Sequence, residues 1–136
     1  MGTIVCAVDD SPEAEEALRA AARVSYNARL RLVAAHVEER ADAGSNNGVA
    51  AEQRGRQLLD RLLAAQGLNG RADKRVEIGE RASELARVAA EEAASVILVG
   101  PRRRRWWRRR RTSRLTADLA ATAACPVVVV PPGRRR

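Results

Sequence analysis

Ten consecutive residues carry the densest chemistry in this chain: Arg102, Arg103, Arg104, Arg105, Trp106, Trp107, Arg108, Arg109, Arg110 and Arg111. Eight guanidinium groups in such a stretch exclude a place in the core, so they must be solvated or paired with anions. Arginine beside tryptophan suits nucleic acid, through phosphate contacts and base stacking. It equally suits an anionic membrane surface, with Trp at the level of the headgroups, a polyphosphate or an acidic protein. The plainer reading is a solvated loop, and the adjacent tryptophans weigh against it. The terminal Arg134-Arg135-Arg136 either extends the patch or serves as a solubilising tail.

A second cluster, Asp9-Asp10-Ser11-Pro12, closes the first apolar run. Asp9 sits at the strand end, where it can help to cap the following helix. Two carboxylates there would repel a phosphate, so this turn is no P-loop. The only histidine, His36, has no nucleophile or acid motif around it and reads as a satisfied, partly buried side chain. Cys6 and Cys125 read as small buried hydrophobes. One His and no paired Cys exclude a metal-ligand spacing, and G-x-S-x-G, G-x-x-x-x-G-K-S/T and paired-carboxylate motifs are all missing. Catalysis is not indicated, and a slow ATPase is the most that could be expected.

The net charge of +8 is unevenly held. Residues 1–101 contain 13 Lys and Arg against 16 Asp and Glu, a balance of −3, whereas residues 102–136 contain 12 Arg against Asp118 alone, a balance of +11. A mildly acidic domain therefore carries a basic loop and a basic tail. At 136 residues the chain has room for one domain. We expect that domain over residues 1–133, with the Arg/Trp loop at 101–112 and the tail at 134–136. Two thiols make no disulfide framework, the start lacks signal-peptide zones, and no apolar run could span a bilayer. These features lead us to expect a cytoplasmic protein.

Helices and strands alternate along the chain. Apolar, β-branched runs at Thr3–Val8, Arg29–Val37, Lys74–Ile78, Ser95–Gly100 and Val127–Val130 predict five strands. Helices are predicted from Ser11-Pro12 to about Val24, over Val49–Gln66 with Gly67 as its stop, over Ala82–Ala94, and from a Thr112 or Ser113 cap through Leu115 and Leu119 to Ala123. Continuous rather than alternating apolar strands imply a parallel sheet covered on both faces, a doubly wound, Rossmann-like α/β fold.

Three local signatures in this order resemble the universal stress protein family. Ile4-Val5-Cys6-Ala7-Val8-Asp9-Asp10-Ser11-Pro12 is similar to the family's opening ILVAVDGSP, and Leu32-Val33-Ala34-Ala35-His36-Val37 to its LxLLHV strand. Ile97-Leu98-Val99-Gly100 and Cys125-Pro126-Val127-Val128-Val129-Val130 are similar to IVVGSRG and CPVLVV, without a gap in the spacing between them. The resemblance covers essentially the whole chain. It implies an adenine nucleotide alpha hydrolase-like fold and a non-catalytic stress-response module, with ATP or a related adenine nucleotide in a crevice between strands 1 and 4. Any metal would be Mg accompanying that nucleotide. On the matching positions it implies adenine and ribose contacts at Ala7, Val8, Asp9 and Val37, and ribose and phosphate contacts at Val99 and Gly100. It further implies a homodimer through the edge strand Val127, Val128, Val129 and Val130.

The family's G-x2-G-x9-G-S/T phosphate pattern, laid on this chain without a gap, falls on Gly100, Arg103, Ser113 and Arg114, with Leu115 next. Only the first glycine is kept, and a one-residue slip to Thr112-Ser113 still loses the last. Glycine lets a backbone approach phosphate closely, whereas Arg103 blocks that approach and offers a bidentate fork instead. The loop has either exchanged a backbone cradle for a side-chain clamp or given up nucleotide, leaving an anion-docking adaptor.

Overall fold

The computed structural model describes residues 2–39, 47–100 and 109–131, and for residues 47 and 109–114 the course of the backbone alone. Its elements run β1 (Thr3–Ala7), α1 (Pro12–Ala28), β2 (Arg31–Glu38), α2 (Asn47–Ala65), β3 (Asp73–Ile78), α3 (Arg81–Glu91), β4 (Val96–Val99), α4 (Arg109–Thr122) and β5 (Val127–Val129). All pairings are parallel and the sheet order is β3-β2-β1-β4-β5. The expected five-stranded doubly wound α/β fold is therefore present.

Each central strand is apolar on both faces, which is why its sequence runs without alternation. Ile4, Cys6 and Val8, with Leu32, Ala34 and Leu98, pack under Ala17, Leu18 and Ala21 of α1 and Leu58, Leu59, Leu62 and Leu63 of α2. Val5, Val33, Ala35, Val37, Ile97 and Val99 pack on the opposite side, against Leu85, Val88 and Ala89 of α3 and Leu119 of α4. Small alanines at these contacts let the helices sit close to the sheet. Burial drives the Cys6 thiol up to about 12, so it stays protonated and inert.

Three helices end in left-handed caps. Gly67 closes α2 at φ +66, as its sequence indicates. Arg29 closes α1 at φ 56 and Ala93 follows α3 at φ 52 without the freedom of glycine. The bonds Leu30 N–H to Ser25 O (2.9 Å), Leu68 N–H to Leu63 O (2.8 Å) and Ala94 N–H to Ala89 O (2.8 Å) complete the three motifs. Helix α1 accordingly runs beyond Val24 to Ala28, and α3 stops at Glu91 rather than at Ala94.

The expected start of α4 needs correction. The helix begins at Arg109, so Thr112 and Ser113 lie within it and neither is its cap. Arginine is a good helix former, and the run extends the helix backward instead of stopping it. Arg109, Arg110, Arg111 and Thr112 thus leave the expected 101–112 loop. Arg102, Arg103, Arg104, Arg105, Trp106, Trp107 and Arg108 lie outside the described residues, as does the tail at 134–136.

The two edges of the sheet differ. At β3, Arg75 pairs with Glu77 (3.0 Å), Glu91 (2.6 Å) and Glu92 (2.8 Å), and Arg87 of α3 with Glu77 (2.6 Å) and Glu91 (2.8 Å). Arg31 joins Asp73 at 2.5 Å and also reaches Glu92, while Lys74 meets Asp60 at 2.6 Å. At β5 the edge is valine, and Val128 and Val129 are 46% and 42% exposed.

Candidate functional site

Strand order reverses at β1. The chain winds outward through β2 and β3, then crosses back to lay β4 and β5 on the other side. An open parallel sheet parts its loops at such a point, beyond the carboxyl ends of the strands. A crevice lies there, lined by Ala7, Val8, Asp9 and Ser11 of the β1–α1 turn, Ala35 and Val37 of β2, and Val99 and Gly100 after β4. Ala14, Arg81, Leu85 and Leu115 complete the wall from α1, α3 and α4. The crevice is open to solvent, and the room it leaves is about 40 Å³.

Seven residues expected at the site thus meet around one opening: Ala7, Val8, Asp9, Val37, Val99, Gly100 and Leu115. Ser113 and Arg114 lie on α4, two residues and one residue before Leu115, and Arg103 falls outside the described residues. Ser11, Ala14, Ala35, Arg81 and Leu85 were missed. Ala35 and Leu85 look like core in sequence, and they are core that also borders the opening. A positional signal could have found Arg81, because it begins the helix after β3 and that helix covers β1 and β2.

The β1–α1 turn is internally bonded. The Ser11 N–H donates to Asp9 Oδ1 at 3.0 Å, and the Ser11 hydroxyl donates to the same oxygen. Ser11 occupies the N-cap position with extended backbone, yet its side chain makes no cap bond. The carboxylate is the stronger acceptor and draws the hydroxyl away from the helix. Pro12 follows at the first helical position, where its missing N–H costs nothing.

Gly100 is held by packing. A Cβ there would stand 2.8 Å from the Glu13 carbonyl oxygen and 3.1 Å from its carbon. The close approach of α1 therefore accounts for this glycine before any ligand is considered.

Behind the crevice, on the α1–α2 face, His36 is 6% exposed. Its Nδ1 lies 2.8 Å from the Val8 carbonyl oxygen and its Nε2 2.5 Å from Glu38 Oε2. Arg54 reaches Glu38 Oε1 at 3.3 Å. Burial alone would raise the Glu38 carboxyl, but the bonds from His36 and Arg54 outweigh it and hold the group below its usual value. His36 is a satisfied histidine that ties β1 to β2, as its sequence context suggests. Among the described residues no group of three or more His, Cys, Asp or Glu could hold a metal ion, and no helix is long and apolar enough to cross a membrane.

The family model described as Universal stress protein family matches residues 1–131. The chain belongs to the universal stress protein family. Its structure is similar to that of a universal stress protein family member from Burkholderia pseudomallei, with a TM-score of 0.74 and 29% identity over 96% of each chain. A universal stress protein in complex with cAMP gives 0.73 at 19% identity over 97% of this chain and 98% of the other. The universal stress protein from Archaeoglobus fulgidus in complex with dAMP gives 0.67 at 19% identity over 96% and 98%. No curated protein matches the chain.

Proposed function

We propose that this protein is a non-catalytic, cytoplasmic stress-response module that takes ATP or a related adenine nucleotide in the crevice between β1 and β4. The observation that carries this reading is the convergence of Ala7, Val8, Asp9, Val37, Val99, Gly100 and Leu115 on one opening where strand order reverses. Structures of the same family hold cAMP and dAMP, which supports a ligand of this class. The residues present fit the base and sugar of such a ligand: Ala35, Val37, Leu85 and Leu115 offer apolar walls to a flat ring, and Asp9 offers a carboxylate to a hydroxyl. The room of about 40 Å³ is far below the roughly 300 Å³ of a small-molecule pocket, so the walls would have to part to admit the ligand. Phosphate affinity would come from arginine, with Ser113 and Arg114 near the opening and Mg arriving only with the nucleotide. Mass spectrometry of small molecules released from protein purified without added nucleotide tests the reading. An adenine nucleotide at near-stoichiometric amount supports it, and an empty protein that also fails to bind added ATP overturns it.

A second reading concerns the basic run. Helix α4 begins inside it, which puts Arg109, Arg110 and Arg111 in the first turn, at the positive end of the helix dipole. Three like charges there would be relieved by a polyanion such as nucleic acid or anionic lipid. The run would then work as a docking element separate from the crevice. We also propose that the valine edge of β5 pairs with a second copy of the chain.

A further inference from the structure

Val8 lies one residue beyond β1, and its two backbone groups bond to different kinds of partner. Its N–H donates to the Ala35 carbonyl at 2.9 Å, which carries the ladder past the end of the strand. Its carbonyl oxygen accepts instead from a side chain, the His36 ring, at 2.8 Å from Nδ1. A carbonyl can only accept, so Nδ1 carries the hydrogen. That carbonyl belongs to the planar peptide unit joining Val8 to Asp9. Its direction therefore sets how Asp9 enters the wall of the crevice.

The ring is held from several sides. Its Nε2 lies 2.5 Å from Glu38 Oε2, and Arg54 holds the other oxygen of that carboxylate. From the helix side, Gly55 of α2 brings its backbone over the ring. A Cβ there would stand 3.2 Å from His36 Cδ2 and 2.5 Å from Val76 Cγ1. Glycine is a poor residue inside a helix, and here it makes room for the imidazole. Ala35 and Val37 line the crevice, whereas His36 between them faces the opposite side of the sheet. His36 can therefore act on a ligand only through the peptide that joins Val8 to Asp9.

We infer that His36 is a positioning residue: by fixing the Val8 carbonyl, it aims the Asp9 carboxylate at a ribose hydroxyl of the bound nucleotide. This rests on the crevice being a nucleotide site. Two substitutions separate the two ring nitrogens. Asn places its amide nitrogen where Nδ1 stands and can still donate to Val8. Gln reaches the place of Nε2 and leaves the Val8 carbonyl without its donor. The experiment is calorimetric titration of ATP and 2′,3′-dideoxy-ATP, which lacks both hydroxyls, into the untagged full chain, His36→Asn and His36→Gln. A hydroxyl bonded to a carboxylate is equivalent to about tenfold or more in affinity. The preference for ATP should have about that size in the parent and in His36→Asn, and should fall toward unity in His36→Gln. Each variant loses one of the two ring bonds, so a merely structural role would affect both alike. Any other pattern, including a preference kept in both variants or lost in both, overturns the inference and leaves the nucleotide site standing. If His36→Gln does not fold, the parent carries the test, because His36 is its only histidine and gives a single Nδ1 signal by nitrogen NMR. That signal should move further on saturation with ATP than with the dideoxy ligand, and equal shifts overturn the inference. Failure of the parent to bind either nucleotide overturns the crevice reading and this inference together.

Discussion

The α-carbon of Gly100 faces the peptide carbonyl of Glu13 so closely that a single added methyl group would stand 2.8 Å from its oxygen. The end of β4 and the first turn of α1 are thereby locked together beside the crevice. Gly100→Ala should destabilise the fold by about 1–3 kcal/mol, the usual cost of overpacking against an unyielding backbone. Urea denaturation without ligand measures it. A loss near zero would mean that α1 moves aside, and the glycine would then owe its place to the ligand.

The bridge from Val8 through His36 to Glu38 yields a pH dependence. Burial pushes the Glu38 carboxyl up, but the hydrogen bonds and charges of His36 and Arg54 prevail and hold it below the usual carboxylate range. A depressed carboxyl contributes stability above its unfolded value, and that contribution is lost as pH falls through the folded one. Glu38→Gln should cost about 1 kcal/mol near pH 7. The difference between variant and parent should shrink as pH falls from the ordinary carboxylate range through the lowered folded value. Denaturation midpoints across pH 3–7 provide the check, and a constant difference would remove the linkage.

Val129→Lys should leave the fold of the protein intact, because Val129 is 42% exposed on an edge strand. If β5 pairs with a second copy, the lysine should weaken association by about tenfold or more, or 1.4 kcal/mol. Sedimentation velocity at micromolar concentration reads the result. A parent that sediments as a monomer rejects the pairing outright.

For the basic run, duplex DNA affinity should fall steeply with salt. Each neutralised phosphate contributes about −0.9 to the slope of log affinity against log salt, so four to six arginines give roughly −4 to −5. Changing Trp106 and Trp107 to Ala should cost about 1–3 kcal/mol per lost stack on single-stranded nucleic acid and leave duplex binding unchanged. If anionic vesicles are the partner, the same change abolishes binding to them. Asp9→Ala, in the crevice, should disturb neither behaviour. No binding to any polyanion at low salt would make the run a solvated loop.

Much of this arrangement is legible along the chain because the strands are buried on both faces. Val5-Cys6-Ala7 and Ile97-Leu98-Val99 cannot be anything but central once helices follow them. What escaped is local and three-dimensional. Nothing about Arg29 or Ala93 announces a left-handed cap, since the demand comes from where the next strand must start. Ser11 has the composition of a cap, yet the nearer carboxylate of Asp9 claims its hydroxyl. Arg109, Arg110 and Arg111 read as loop by charge and form helix by propensity. Arg81 is one surface arginine among many until the crossover of α3 carries it to the crevice.

The unlike edges of the sheet bear on how far any self-assembly could proceed. A growing fibril needs a donor and an acceptor edge on every subunit, so that each addition exposes a fresh end. Here Arg75, Lys74 and their carboxylate partners give β3 a charged, internally satisfied border that a flat apolar strand cannot match. Of the two edges, the valine border of β5 is the more apolar. Joining two such borders uses up both reactive ends at once, so growth would terminate at the first step and never reach a polymer.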